Sequence, residues 1–562
     1  MADTVIRNAR IVDGTGEVSR HGDIAIENGI IAEIGDNVAA GRHEIDADGR
    51  VVAPGWVDVH THYDGQATWD PEMTPSSWQG VTTVVMGNCG VGFAPVRSGA
   101  EGFLIELMEA VEDIPGTALH EGIDWEWNTF GEYLDALDRT PRVLDIAAQL
   151  PHVAVRAYVL GERAHEDATV DEIAEMAVIV EQAMRDGAVG FSTSRTILHR
   201  SKYGLVPGTT APDDELRAIA DAMAAAGGSR VFQLITDRLL VEPERSLIGE
   251  LTRRSDGPLT YSLAQTDFDP TGYLQALEDA AAWNDEGLRV APQVAPRPTG
   301  MLFGIRSSLH PFITHPTYRE MSALSLSERV ARLRDPETRA RLLAEEPATA
   351  NRIAVSIISK WRQIFPLGDT PDYEPAADTS AQAVADARGI TPQEVVLDWM
   401  LERDGEAFLF APLAGFTDGN LDSALTMMSH PTSVVGLGDG GAHCGLICDA
   451  SMPTYLLTHW ARDRVGRQLS IEMAVHLQTQ RTAQLYGMTD RGVLAPGKRA
   501  DINIIDMDRL RIAAPEMIND LPANGRRLIQ RAEGYDITMN AGQVTFENGE
   551  PTGARPGRLV RS

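Results

Sequence analysis

The chain reads as an α/β protein built on a (β/α)8 TIM-type barrel, and three observations carry that reading. Through the middle of the sequence, apolar β-type runs alternate with helix-period segments, the texture of a parallel sheet covered by helices. There are eight such runs, which match a barrel, although a doubly wound sheet leaves the same local pattern. At both chain ends the texture changes to short strands cut by Gly and Asn/Asp turns, so a small all-β unit is expected to draw on both termini.

Val5 to Val12, Asp23 to Glu27 and Ile30 to Ile34 are β-type runs followed by "DGTG", "NG" and "GD". The barrel strands are expected at Trp56 to His62, Thr82 to Met86, Val143 to Leu150, Ala188 to Ser192, Arg230 to Ile235, Leu259 to Ala264, Leu288 to Val294 and Ser433 to Gly438. The best-marked helix is "TVDEIAEMAVIVEQAMRDG", Thr169 to Gly187, with an N-cap threonine, early acids, apolar residues at helical spacing and a closing glycine. About 140 residues separate the last two strands, too many for a loop. We read a mostly helical insertion at about 296–430, clearest at "LSLSERVARLRDPETRARLLAEE", placed to cover the carboxyl ends of the strands. "GVLAPGKRADINIIDMD" and "GQVTFENGEP" return to strand texture. The expected division is therefore 1–54 with 485–562 as the β unit and 55–484 as the barrel.

The 562 residues carry a formal net charge of -32, which argues against nucleic acid as a partner, since backbone phosphates need clustered cations. No run approaches about 18 apolar residues and the N-terminus lacks a leader pattern, so no membrane association is expected and the location expected is cytoplasmic. The three cysteines, Cys89, Cys444 and Cys448, are too few and unevenly placed for a disulfide framework. A homo-oligomer is compatible with the sequence.

Candidate chemistry clusters at the ends of strands one, two and eight. In "VDVHTHYDG", His60 and His62 are two apart and face one side of an extended chain, as two metal ligands would. Cys89, in "GNCG" after strand two, is a candidate zinc ligand whose bland alternative is a small buried hydrophobe. Asp439, after "SVVGLG", could ligate a metal and take a proton from water; otherwise it is a turn aspartate. His443 could touch substrate or metal, or lie in a solvated loop. "GLGDGG" fits G-x-G-x-x-G but is followed by a poor helix start, and "GFSTS" is one residue short of a nucleophile elbow; both are set aside.

Together, "VIRNARIVDGTG", "APGWVDVHTH", "QGVTTVVMGNCG", the acidic end of strand eight and "GVLAPGKRADINIID" resemble the amidohydrolase superfamily. "GNCG" and the "HPFITHPTYREM...RLRDPETRARLL" insertion are similar to its D-aminoacylase (N-acyl-D-amino-acid deacylase) branch, almost end to end. The resemblance implies a β-sandwich from both chain ends, one or two zinc ions in the barrel, and Cys89 as ligand where other relatives carry a carboxylated lysine. The only lysines are Lys202, Lys360 and Lys498, none at the end of strand four. The branch also has a histidine after each of strands five and six, whereas here stand "VFQLITD" and "LTYSLAQTD", with Gln233 and Gln265. One zinc is accordingly expected rather than two, held by His60, His62 and Asp439 with Cys89 as a further ligand. Asp439 is the expected acid/base, and Arg297 and His443 the expected substrate contacts. The implied reaction is metal-dependent hydrolysis of a non-peptide C–N amide in a small molecule. The alternatives are an amidohydrolase acting on a lactone or cyclic amide, or a metal-depleted barrel that binds without catalysis.

Overall fold

The computed structural model describes residues 1–349 and 351–562. Its centre is an eight-stranded sheet whose neighbours are all parallel: β1 (Trp56–Asp58), β2 (Val81–Met86), β3 (Asp145–Pro151), β4 (Gly190–Arg195), β5 (Val231–Thr236), β6 (Leu259–Leu263), β7 (Val290–Val294) and β8 (Val434–Val435), in that spatial order. Helices follow the strands, as in Val170–Asp186 and Asp213–Ala225. Strands such as β2 and β3 are buried along their whole length, which is why they read as mostly apolar runs without the in/out alternation of a half-exposed strand. The sheet curls until its first and last strands meet at their carboxyl ends. There Thr61 bridges Gly440 in parallel sense, the His62 amide donates to the Gly440 carbonyl at 2.8 Å, and the Asp439 amide donates to the His60 carbonyl at 3.0 Å. This is the curled parallel sheet of a TIM-type barrel.

Two barrel strands fall about four residues short of their expected lengths, and both end at the seam. The first, expected to run to His62, leaves the ladder after Asp58, so His60 and His62 lie beyond the strand in the segment that crosses from β2 to β8. Strand eight, expected over Ser433 to Gly438, stops at Val435, because Leu437 (φ +63°) and Asp439 (φ +46°) are left-handed and such residues cannot continue a ladder.

Helix Val170–Asp186 follows its sequence signals. Thr169 forms a capping box with Glu172, and Gly187 ends the helix at φ +113°. Both chain ends enter one nine-stranded sheet, where Val51–Pro54 pairs antiparallel with Ile502–Ile505 around a core of Ile6, Ile11, Ile24, Ile31, Val52, Ile502 and Met539. Arg491 and Arg499 tie it to the barrel through Asp145, at 2.7 and 3.0 Å.

The insertion is less helical than expected. It contains helices, including Leu326–Arg334, Pro336–Leu343 and Pro392–Met400, but also a three-stranded antiparallel sheet of Thr299–Phe303, Phe365–Pro366 and Leu409–Ala414. These strands are short and far apart in sequence, so no local hairpin signal marks them. A separate apolar core that includes Phe303, Leu333, Ile364, Val396 and Leu409 holds the insertion together. Ala350, inside it, lies outside the described residues. Among the described residues no helix is long and apolar enough to cross a membrane.

Candidate metal centre

His60, His62, Cys89 and Asp439 converge where the barrel seam closes. Ligand atoms of His60, His62 and Cys89 lie within 4.8 Å of one another. Cys89 Sγ is 3.3 Å from His60 Nε2, and Asp439 Oδ1 is 3.4 Å from His60 Nε2 and 3.7 Å from His62 Nε2. The two imidazoles stand edge to face with centroids 5.5 Å apart.

Local backbone chemistry presents the thiol. In "GNCG", Gly87 is left-handed and a Cβ there would meet the Gln149 carbonyl at 2.3 Å; a Cβ on Gly90 would lie 2.9 Å from Thr193 Cα. Only glycine admits such close approaches. Cys89 itself has φ +56°, with its amide donating to Gln233 Oε1 at 2.9 Å. Gln233 therefore occupies the strand-five position as a brace for the cysteine loop. Gln265 is engaged elsewhere: its amide donates to Asp418 at 2.7 Å and its carbonyl accepts from Ser423 at 3.1 Å.

Three contributors went unread in the sequence. Gln293, on β7, places Oε1 2.7 Å from His60 Nδ1; with the proton on Nδ1, Nε2 faces the cluster as a free base. Glu112, the last residue of helix Glu101–Glu112, is buried between two histidines, 3.5 Å from His62 Nδ1 and 3.5 Å from His443 Nε2. His199, in the loop after β4, bonds Ser194 at 2.9 Å. Single Gln, Glu and His residues carry no spacing signal; a clue was available only for Gln293, at a barrel-strand end.

His443 reaches the cluster through Glu112, to whose carbonyl its amide also donates, and its side chain is 23% exposed, at the rim. Arg297 does not touch the four converging residues. It is buried, donates to the Cys448 carbonyl at 2.6 Å and to Asp449 at 3.0 Å, and lies 3.7 Å over the Tyr373 ring. Asp449 shares a small cavity with Asp439, so Arg297 stands one side chain behind the centre, with Nε and Nη1 buried and unpartnered.

Burial pushes His60 down to about 4, leaving it neutral and ligand-ready. Burial likewise pushes the Cys89 thiol up to about 11 and His199 down to about 3, the latter with help from His443 and His62. On His62 burial opposes charge, but Glu112, Asp439 and Cys89 outweigh it and raise it well above the ordinary value. Asp439 is the reverse: the histidines overcome its burial and hold it well below the carboxylate range.

These donors fit a zinc ion. Tetrahedral zinc with bonds of about 2.0–2.3 Å separates its ligand atoms by about 3.3–3.8 Å, and the separations of 3.3, 3.4 and 3.7 Å fall in that span. Glu112 Oε1 is also buried without a hydrogen-bond partner, and a cation at the centre offsets a buried carboxylate beside it.

The model of the Amidohydrolase family matches residues 43–546. The chain belongs to the amidohydrolase family. This amidohydrolase is 27% identical to the N-acyl-D-aspartate deacylase of Alcaligenes xylosoxydans xylosoxydans over 100% of its own length and 95% of the relative's. Its fold is that of D-aminoacylase, with a TM-score of 0.67 and full coverage of both chains at 22% identity. N-acyl-D-glutamate deacylase from Bordetella bronchiseptica, solved with zinc and a phosphonate mimic of the tetrahedral intermediate, superposes with a TM-score of 0.65 at 22% identity, again over the whole of both chains. The D-aminoacylase-like branch expected from "GNCG" and the insertion is thus the one its relatives occupy.

Proposed function

We propose that the protein is a zinc-dependent deacylase of N-acyl-D-amino acids, cleaving the non-peptide C–N amide of a small molecule. The observation that carries this is the convergence of His60, His62, Cys89 and Asp439 at zinc-ligand separations on the barrel seam. His60, His62 and Asp439 hold the ion, with Cys89 as the further ligand, and a single ion is the occupancy that suits this donor set. Lewis acidity that polarises the scissile carbonyl and lowers the attacking water's pKa toward about 7 is what the bound zinc supplies. Asp439, ionised at neutral pH, takes the water proton and returns it to the departing amine. Arg297, with two unpartnered nitrogens, anchors the substrate carboxylate, and His443 contacts the substrate at the rim. Residues 55–484 form the hydrolase barrel, and 1–54 with 485–562 the supporting β unit.

The relatives' substrates support this choice over lactones and cyclic amides. The test is metal content together with a substrate panel. About one zinc per chain, loss of activity in His60→Ala, and turnover of N-acyl-D-amino acids in preference to lactones and cyclic amides are expected. Protein that purifies without zinc when zinc is supplied, and whose activity survives His60→Ala, would refute the reading.

A further inference from the structure

Both histidines of the centre turn Nε2 inward, so each has an Nδ1 facing away. His60 Nδ1 meets the neutral amide of Gln293 at 2.7 Å. His62 Nδ1 meets the carboxylate of Glu112 at 3.5 Å, and His62 Nδ1 and Glu112 Oε1 are both buried and unbonded. The gap is too narrow to admit a water, so the two groups face each other directly.

Glu112 is poorly placed for any structural purpose of its own. It ends a twelve-residue helix, where the helix carbonyls repel negative charge, and it is 1% exposed, where an unpaired carboxylate is costly. Its facing partners in the structure are histidines: His62 on one oxygen and His443 on the other. The amide of His443 also donates to the Glu112 carbonyl. One residue therefore spans from the strand-one ligands to the loop carrying Asp439 and His443.

Resting on the metal reading above, we propose that Glu112 is the positioning residue of the centre. Its carboxylate accepts a hydrogen bond from His62 Nδ1–H, holds the ring in the tautomer that offers Nε2, and makes that imidazole a stronger donor. This matters in a chain where strands five and six offer glutamines instead of imidazoles, since fewer nitrogen donors must bind the cation.

The test is cobalt(II) titration of the metal-free protein, with affinity read by chelator competition and the thiolate-to-cobalt absorption band reporting Cys89. Glu112→Gln is expected to weaken affinity about 10- to 100-fold with the absorption band retained at saturation. Glu112→Asp, which keeps the charge, is expected to recover part of the loss. Unchanged affinity in Glu112→Gln overturns the proposal. So does equal loss in both variants, or failure of both to fold, either of which marks a structural role. A second cobalt equivalent in the wild type that Glu112→Gln abolishes would replace it with a cation site between Glu112 and His443. Wild-type protein that takes up no cobalt or zinc removes the metal reading as well, so the two failures are distinct.

Discussion

Replacing Cys89 by serine should change how metal binding depends on pH, by an amount the site's own chemistry sets. Burial holds the thiol at about 11, four pH units above neutrality, so ionising it at pH 7 costs about 5 kcal/mol at 1.36 kcal/mol per unit. Thiolate ligation must meet that cost, and the proton leaves when the metal enters. His62, raised well above its ordinary value, releases a second proton when it becomes a ligand. His60, at about 4, and Asp439, well below the carboxylate range, release none near neutrality. Raising the pH favours the ligating forms, so affinity climbs about tenfold per pH unit for each proton released. Between pH 6 and 7 the wild type should gain about 100-fold and Cys89→Ser about tenfold, because a serine hydroxyl does not ionise there. Zinc titrations in chelator-buffered solutions at several pH values measure both slopes, and calorimetry in buffers of different ionisation enthalpy counts the protons directly. Equal slopes in the two proteins would refute thiolate ligation by Cys89.

Asp439→Asn should lower kcat/KM by about 100- to 10,000-fold through loss of the general base, read in steady-state assays on the zinc-loaded enzyme. Arg297→Lys should raise KM for N-acyl-D-amino acids far more than for the corresponding amides lacking the carboxylate, because lysine cannot both pair with Asp449 and present a second N–H fork; equal effects on both substrates would count against the anchor. Away from the site, Glu374 is pulled by burial toward a higher pKa, but His459 and Arg464, bonded at 2.8 to 2.9 Å, outweigh this and hold it at about 2. A lowered carboxyl contributes stability above its unfolded pKa and loses it as pH falls through the folded value. Glu374→Gln should therefore cost about 1–2 kcal/mol at neutral pH, allowing for the solvent around the cluster, and should flatten the stability loss between about pH 4.5 and 2 in denaturant titrations.

The barrel strands were legible because each is a short apolar run that periodicity marks locally, and the capped helix after Thr169 because its box and closing glycine lie within one segment. The two seam strands were read too long, since their ends depend on a contact between residues 61 and 440 that no local pattern records. The sheet inside the insertion escaped for the same reason, its strands pairing across about 45 and more than a hundred residues.

By itself the sequence determined the fold class, the family resemblance and the four converging side chains, because each lies at a strand end within a short motif: His60 and His62 in "HTH", Cys89 in "GNCG", Asp439 in "GLGD". Tertiary structure alone decided what stands behind them. Gln293 behind His60, Glu112 between His62 and His443, and Gln233 under the cysteine loop come from distant elements. A lone Gln or Glu has no spacing to betray it; only closure of the barrel brings its oxygen against a histidine nitrogen or a loop amide.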